Sequence, residues 1–463
     1  MTITPKQLSQ VPILAGKNTF NTVYGLQYII PMSSTVSLLL FCSAAPNTTP
    51  SARVMTINED GSVTYGAVFA ISTGATKIGF SGVALSTTAA IIIFADGANS
   101  SYGTGIIATI SGMGENATVA FGDKYVFNSA TSNYGMSCNL IDTTHVFIAY
   151  GTSTTGTGVI ATITGTAIAY GTPNNFSDAV ISNSGTYNCQ CALLDSTHVI
   201  ITYWISETYN WAVVAVISGE TISSYGTPVN LTGQGEYQVN MIALSATSAL
   251  VTGYMYTQIL SISDTTITIG SAFSSGLSIY SNLSPFLMKL SSTSIAIFSH
   301  YSNTGYYNQL IIATISGTNI TFGDIFSLPD GYMYSTCSVA TQSSTQIVVN
   351  IDTDTYILNV SGTEFTMAVA PTTLLTGASD HTEISSIYLF NPSATAIIVT
   401  LLISGTGASN LNVFRRETIT GRTSTNILMP NSPIVLADSD TLRAYSDGLT
   451  SITATCFGLE VTV

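Results

Sequence analysis

One phrase recurs along this chain and decides most of what it can fold into. Residues 158–173 read GVIATITGTAIAYGTP, 213–228 read VVAVISGETISSYGTP, and 310–325 read LIIATISGTNITFGDI. A longer variant, GIIATISGMGENATVAFGD, occupies 105–123. Each is a pair of arms rich in Ile, Val and Thr about a Thr-Gly or Ser-Gly step, the pattern of a β-hairpin. Gly165, Gly219 and Gly317 stand at the reversal, where glycine accepts a positive φ without a Cβ clash.

The second arm ends in an aromatic-glycine step or its equivalent at Gly66, Gly122, Gly171, Gly226, Gly270 and Gly323, spaced 44 to 56 residues apart. A seventh copy, YILNVSGTEFTMAV at 356–369, keeps Ser361-Gly362-Thr363. An upstream hairpin accompanies each unit, as in YGMSCNLIDTTHVFIAY at 134–150 and YNCQCALLDSTHVIITY at 187–203. Four short strands per unit, seven times over, predict a seven-bladed β-propeller. A solenoid would need capping units and a tighter period. The repeats alone do not fix which strand of a blade is innermost.

Composition agrees with an all-β chain. Charged residues are 7% of the 463, against roughly 25% in ordinary globular chains, so exposed helix faces have little to be built from. The formal net charge is −14, and Lys289 is the only Lys or Arg between Lys124 and Arg415. Phosphate neutralisation needs clustered cations, so nucleic acid is not an expected partner. No run has the apolar length of a membrane helix, and the polar start MTITPKQLSQVPILAGK lacks the form of a signal peptide. The six cysteines match no metal spacing and read as free, mostly buried thiols of a chain made in a reducing cytoplasm.

The repeat stops near 377, giving three expected parts: a polar arm at 1–14, the propeller at 15–377, and a C-terminal antiparallel β-sandwich at 378–463. The last part alternates strand-like runs with Asn-Pro, Asp-Ser and Asp-Gly turns. It also carries Arg415, Arg416, Arg422 and Arg443, four of the ten cations. They read either as ordinary surface solubility or as a docking face for an acidic partner.

Within that part, YLFNPSATAIIVTLLI at 388–403 and VLADSDTLRAYSDGLTSITATCFGLEV at 435–461 resemble small β-sandwich domains of tailed-bacteriophage virion proteins. The opening MTITPKQLSQ is similar to the starts of phage tail and head accessory proteins. The resemblance covers about a fifth of the chain, and the glycine usual in the family's Ala-Gly-Asp turn is Ser439 here. It implies a structural component of a tail, baseplate or head decoration, synthesised in a host cytoplasm and carried in the virion. The repeats themselves lack the Trp-Asp ending of WD blades, the paired glycines of kelch blades and the regular Asp boxes of sialidase-like propellers.

Catalytic patterns are weak. His145 and His198 both sit in Asp-x-Thr-His-Val, at equivalent places in adjacent repeats, so repetition explains them better than a triad. Two-carboxylate glycoside chemistry has Asp96, Glu207 and Asp352 as candidates, all in different blades. The Asp352 and Asp354 of NIDTDTY are the nearest approach to a calcium cluster, and an exposed turn is the simpler reading. No catalytic residue, metal or cofactor is therefore assigned. The aromatic excess is more informative, with 24 Tyr. Trp204, Tyr209, Trp211, Tyr256 and Tyr306 fall between the second and third strands of their blades, on one common face. They read as packing between loops or as a recognition surface for a glycan or protein.

The expected function is a non-enzymatic virion structural protein that contributes to host-surface attachment. Its expected partners are other virion proteins, a host-surface glycan or receptor, and a second copy of itself. The alternative is a carbohydrate-active propeller enzyme, which would need convergent carboxylates in a central cleft. A host-type adaptor propeller fits less well, since the family signatures are missing.

Overall fold

The computed structural model describes residues 2–462 apart from 14–17, 20–26, 43–48, 59–62, 75–79, 131–133, 153, 179–188, 206–208, 232–238, 254–255, 278–284, 303–305, 329–336, 352–353, 368–371, 377–380, 391–396, 405–411, 420–423, 429–433, 437–440 and 447–451. Within 28–365 side chains are described except, on described strands, those of Tyr134, Tyr209, His300, Tyr301, Ser302, Tyr306, Tyr307, Ser327 and Asp354.

Seven antiparallel sheets follow one another along the chain, and each is a blade with its strands in sequence order. Blade 4 is representative. Cys189–Asp195, His198–Ile205, Tyr209–Ser218 and Thr221–Tyr225 pair consecutively, and Val229–Asn230 returns to pair with the third strand. The outer edge is thus made of two short pieces, and the aromatic-glycine step marks the break between them. Blade 5 differs: its fourth strand, Thr266–Phe273, runs unbroken through Gly270.

The first strands of consecutive blades lie side by side, and the strand of blade 7 meets that of blade 1, so the ring is closed. The first strand is therefore the innermost. Two devices join the ends of the ring. The Ser37 hydroxyl donates to Gln342 Oε1 at 2.8 Å, while Gln342 Nε2 donates to the Ser33 and Val36 carbonyls. The Tyr65 hydroxyl donates to Thr355 Oγ1 at 2.6 Å. Asn18 and Thr19 also pair with Thr355 and Asp354, so an N-terminal segment adds to the edge of blade 7.

The core lies between the blades. One buried apolar cluster fills each of the seven seams among the described residues. Successive residues of a second strand face opposite neighbours. In blade 2, Ile91 and Ile93 pack toward blade 3, while Ala90, Ile92 and Phe94 pack toward blade 1. Both faces of each sheet are buried, which is why runs such as VSLLLFC and AAIIIFAD are largely apolar rather than alternating. The glycine of the aromatic-glycine step keeps the seam tight. A Cβ at Gly171 would lie 2.6 Å from the Glu220 carbonyl oxygen of the next blade, and one at Gly226 would lie 2.4 Å from that of Thr265.

The segment read as an arm holds the strand Thr2–Ile13, antiparallel to Ile452–Thr462. That last strand also pairs with His381–Phe390, which in turn pairs with Ser424–Leu428 and Ile434–Leu436. A second sheet takes Thr372–Thr376, Thr441–Ser446, Ile397–Ser404 and Asn412–Ile419 in that order.

Candidate functional site

Strand direction fixes two ends to the propeller. The first-to-second and third-to-fourth turns lie at one end. The second-to-third turns lie at the other, together with the links between blades. Trp204, Tyr209 and Trp211 belong to the second-to-third hairpin of blade 4, Tyr256 to the turn of blade 5, and Tyr306 to the hairpin of blade 6. All five therefore lie at the same end, on three consecutive blades.

Their side chains are not equally available. Trp204 is 6% exposed, and its indole N–H is buried without a hydrogen-bond partner. Trp211 is half-buried against the cluster between blades 3 and 4. Tyr256 is half-buried beside the Gly253–Tyr256 turn. The side chains of Tyr209 and Tyr306 lie outside the described residues. Other tyrosines of the excess are seam residues. Phe176 packs against Tyr203 and Tyr225 at 5.1 and 6.1 Å between ring centroids, and Phe127 repeats the arrangement one blade earlier with Tyr150 and Tyr170.

The same end opens onto the channel. One residue per blade occupies an equivalent place on the innermost strand: Tyr28, Ser81, Ser137, Gln190, Asn240, Phe286 and Ser338, each paired with the residue twelve positions later. Sequence reasoning missed this ring because it could not say which strand was innermost. A cavity of about 150 Å³ sits at this level, lined by Tyr28, Gln190, Asn240, Phe286 and Ser338 of the ring and by Ile29, Leu287 and Val339 beside them. The part of the ring outside the lining is bonded across blades. Ser81 Oγ accepts from the Cys138 amide at 3.0 Å, and Ser137 Oγ accepts from the Cys191 amide at 3.1 Å. Burial pushes the Tyr28 hydroxyl up to about 12, with the Cys138 thiol adding to the rise against hydrogen bonds to Ser81 and Gly82. The phenol is neutral at ordinary pH.

Of the three carboxylate candidates, only Asp96 falls among the described residues. Asp96 is buried and accepts from Ser72 Oγ at 2.6 Å, Lys124 Nζ at 2.9 Å and the Ala98 amide at 3.1 Å. Burial alone would raise its pKa, but these bonds and the Lys124 charge outweigh it and hold the carboxyl below its usual range. Glu207 and Asp352 lie outside the described residues, as does the Asp354 side chain. Among the described residues no group of three or more His, Cys, Asp or Glu is placed to hold a metal.

The two histidines lie at the opposite end, in different seams. His145 Nδ1 is 2.8 Å from Asp142 Oδ2, and its Nε2 is 3.8 Å from Glu220 of blade 4. His198 repeats this with Asp195 at 3.0 Å and with Asp264 of blade 5 at 3.4 Å. Each His links its own turn to the next blade, which is an architectural role. Cys42, Cys138, Cys189 and Cys191 are buried free thiols, and Cys337 is a half-buried one.

No protein-family model and no curated protein matches the chain. Among solved structures, Kluyveromyces lactis Hsv2 is 11% identical, with a TM-score of 0.44, covering 75% of this chain and 98% of that one. The WD40 domain of SCAP from fission yeast is 10% identical, with a TM-score of 0.40, covering 98% and 97%. A fucose-specific lectin from Aleuria aurantia is 9% identical, with a TM-score of 0.36, covering 63% and 94%. The fold therefore rests on the strand topology described above.

Proposed function

We propose that this chain is a non-enzymatic structural protein of a tailed-bacteriophage virion, in which the propeller is a display platform for host-surface attachment. The observation that carries the reading is the pairing of Thr2–Ile13 with Ile452–Thr462 along eleven residue pairs. Both ends of the chain enter one sheet, and the propeller hangs between them as an insertion. The two terminal sheets pack face to face as a β-sandwich that docks to other virion proteins. Arg415 and Arg416 lie on the edge strand of the second sheet and Arg443 on a strand inside it, while Arg422 falls outside the described residues. An edge strand offers unpaired backbone groups as well as charge to an acidic partner.

Attachment is assigned to the end that carries Trp204, Tyr209, Trp211, Tyr256 and Tyr306 and the channel mouth. The enzyme alternative receives less support, because Asp96 is committed to Lys124 and Ser72 and none of the eight described cavity-lining residues is a carboxylate.

The test is particle assembly. Particles are produced with the full chain, with 2–13 deleted, or with 383–463 deleted, and their protein content is measured by mass spectrometry. Loss of the chain from particles with either deletion supports docking through the terminal sheets. Undiminished incorporation of both deletions rejects it.

A further inference from the structure

Five blades finish their outer edge with a short return piece that pairs with the start of the third strand. Phe69 faces Ala52 in blade 1, Tyr125 faces Gly105 in blade 2, Asn174 faces Gly158 in blade 3, Val229 faces Ala212 in blade 4 and Phe326 faces Leu310 in blade 6. Each of these residues comes four places after the aromatic of the aromatic-glycine step. Two places further on stands a buried apolar side chain every time. Ile71, Phe127, Phe176, Leu231 and Leu328 are between 2% and 7% exposed.

Blade 7 does not build this piece from the chain that follows its fourth strand. Met367 holds the place of the aromatic, paired with Leu358 as Tyr170 is paired with Ala161 in blade 3. Five and six residues later, Thr372 and Thr373 are already paired with Ala444 and Arg443 in a terminal sheet. Asn18 and Thr19 face Thr355 and Asp354 instead. Thr355 lies three residues before Leu358, as Gly158 lies three before Ala161, so Asn18 and Thr19 hold the places of Asn174 and Asn175. The sequence continues the match on its own account. Asn174-Asn175-Phe176-Ser177 in blade 3 corresponds to Asn18-Thr19-Phe20-Asn21.

We infer that the edge of blade 7 is a strand-acceptor site filled by residues 18–21 of this chain, and that Phe20, which lies outside the described residues, supplies the side chain for the seam between blades 7 and 1. The receiving side suits an aromatic ring. In blade 3, Phe176 packs against Tyr203 and Tyr225 of the next blade. The corresponding residues of blade 1 are Phe41, opposite Ser51, and Tyr65, opposite Met55. Phe41 is a member of the apolar cluster of that seam, and Tyr65 packs against it. Burying such a ring between two aromatic neighbours is a strong and geometrically selective interaction. The chain that blade 7 gives up to one terminal sheet is thus replaced by chain arriving from the other, since Asn18 follows the strand Thr2–Ile13 after four residues. Closure of the ring is thereby tied to the terminal sheets, whatever they dock to.

The test is amide hydrogen exchange on the full chain, read by mass spectrometry for the third strands of blade 7, Asp354–Ser361, and of blade 3, Gly156–Thr164. Phe20→Ala should speed exchange at the start of Asp354–Ser361 by at least about tenfold and leave Gly156–Thr164 unchanged, because a lost core phenylalanine opens the structure locally. Phe20→Leu, the residue type that blades 4 and 6 use at this place, should restore most of the protection. Lys17→Ala, just before the piece, should change neither strand. Should Phe20→Ala not fold, Phe20→Val is read in the same way.

Unchanged exchange in blade 7, acceleration of the same size in every blade, or no rescue by Phe20→Leu overturns the assignment. The virion reading stands or falls separately. Deletion of 2–13 keeps residues 18–21, so lost incorporation of that variant with blade 7 still protected concerns docking alone, and a deprotected blade 7 in an incorporated Phe20→Ala variant concerns closure alone.

Discussion

The Tyr225 hydroxyl of blade 4 donates to the Asn174 carbonyl of blade 3 at 2.9 Å. The aromatic of an aromatic-glycine step thus reaches back to the outer edge of the preceding blade. Tyr170 makes the equivalent bond to the Tyr125 carbonyl at 3.3 Å, and Tyr65 reaches Thr355 of blade 7. Phe121 and Phe322 keep the ring at this place without the hydroxyl. Tyr225→Phe should therefore cost about 1 kcal/mol, the net worth of one hydrogen bond, and leave the fold intact. Urea denaturation read by tryptophan fluorescence measures it. A variant as stable as the parent would show that water replaces the bond.

The third-to-fourth turns need a left-handed residue. Gly219 has φ of 60° with open space around it, and Asp264 holds the same place in blade 5 at φ of 54°. Gly219→Ala should lose about 1 kcal/mol or slightly more, purely from the backbone. Gly219→Asn should lose less, since Asn tolerates this region. Equal losses in both variants would point to a side-chain clash.

Stability should fall in acid through Asp96. Its folded pKa is depressed, so its contribution is complete above the unfolded carboxylate value and disappears as pH falls through the folded one. Lys124→Met removes the hydrogen bond and the charge by which Lys124 holds the carboxylate ionised, and with them the Lys124 bond to Ser72. The acid limb of the stability curve should then move to higher pH, with a loss of roughly 1–3 kcal/mol at neutral pH, below the range for fully buried pairs because Lys124 is partly exposed. Denaturation midpoints between pH 2 and 7 supply the comparison, and an unmoved limb would remove Asp96 from the account.

Recognition and packing should separate within the aromatic face. Trp204→Ala should lose about 3 kcal/mol or more, as expected for a buried tryptophan. Tyr256→Ala removes a half-buried ring and should change stability by about 1 kcal/mol while lowering adsorption to host envelopes. If adsorption by the folded Tyr256→Ala and Trp211→Ala variants equals that of the parent, the face is structural.

The seven blades are legible in the sequence because each repeat must bury both faces of a sheet against two neighbours. That demand writes similar apolar runs in all seven repeats and a Tyr-Gly, Phe-Gly or Ile-Gly step in six of them. The role of the tyrosines is harder to read. Tyr203, Tyr225 and Trp211 stand in similar aromatic stretches, yet the first two are committed to a seam by Phe176 and Asn174 of the preceding blade, which no local pattern reveals. The axial ring is hidden for a different reason. Tyr28, Ser81, Gln190 and Phe286 share a position but no chemistry, so only the closed geometry identifies them as neighbours.

The pairing of Thr2–Ile13 with Ile452–Thr462 also sets a timetable. At about 5–20 residues per second, the first strand emerges from the ribosome roughly 20–90 s before the strand it pairs with. During that interval its edge is available to any other extended segment. Asn18 and Thr19 wait almost as long for Asp354 and Thr355. The blades in between can form in order as they are made, but the ring waits for blade 7 and the first strand waits for Ile452–Thr462. A ribosome that stops short of residue 452 therefore releases a chain whose propeller is nearly whole and whose first strand has no place to go.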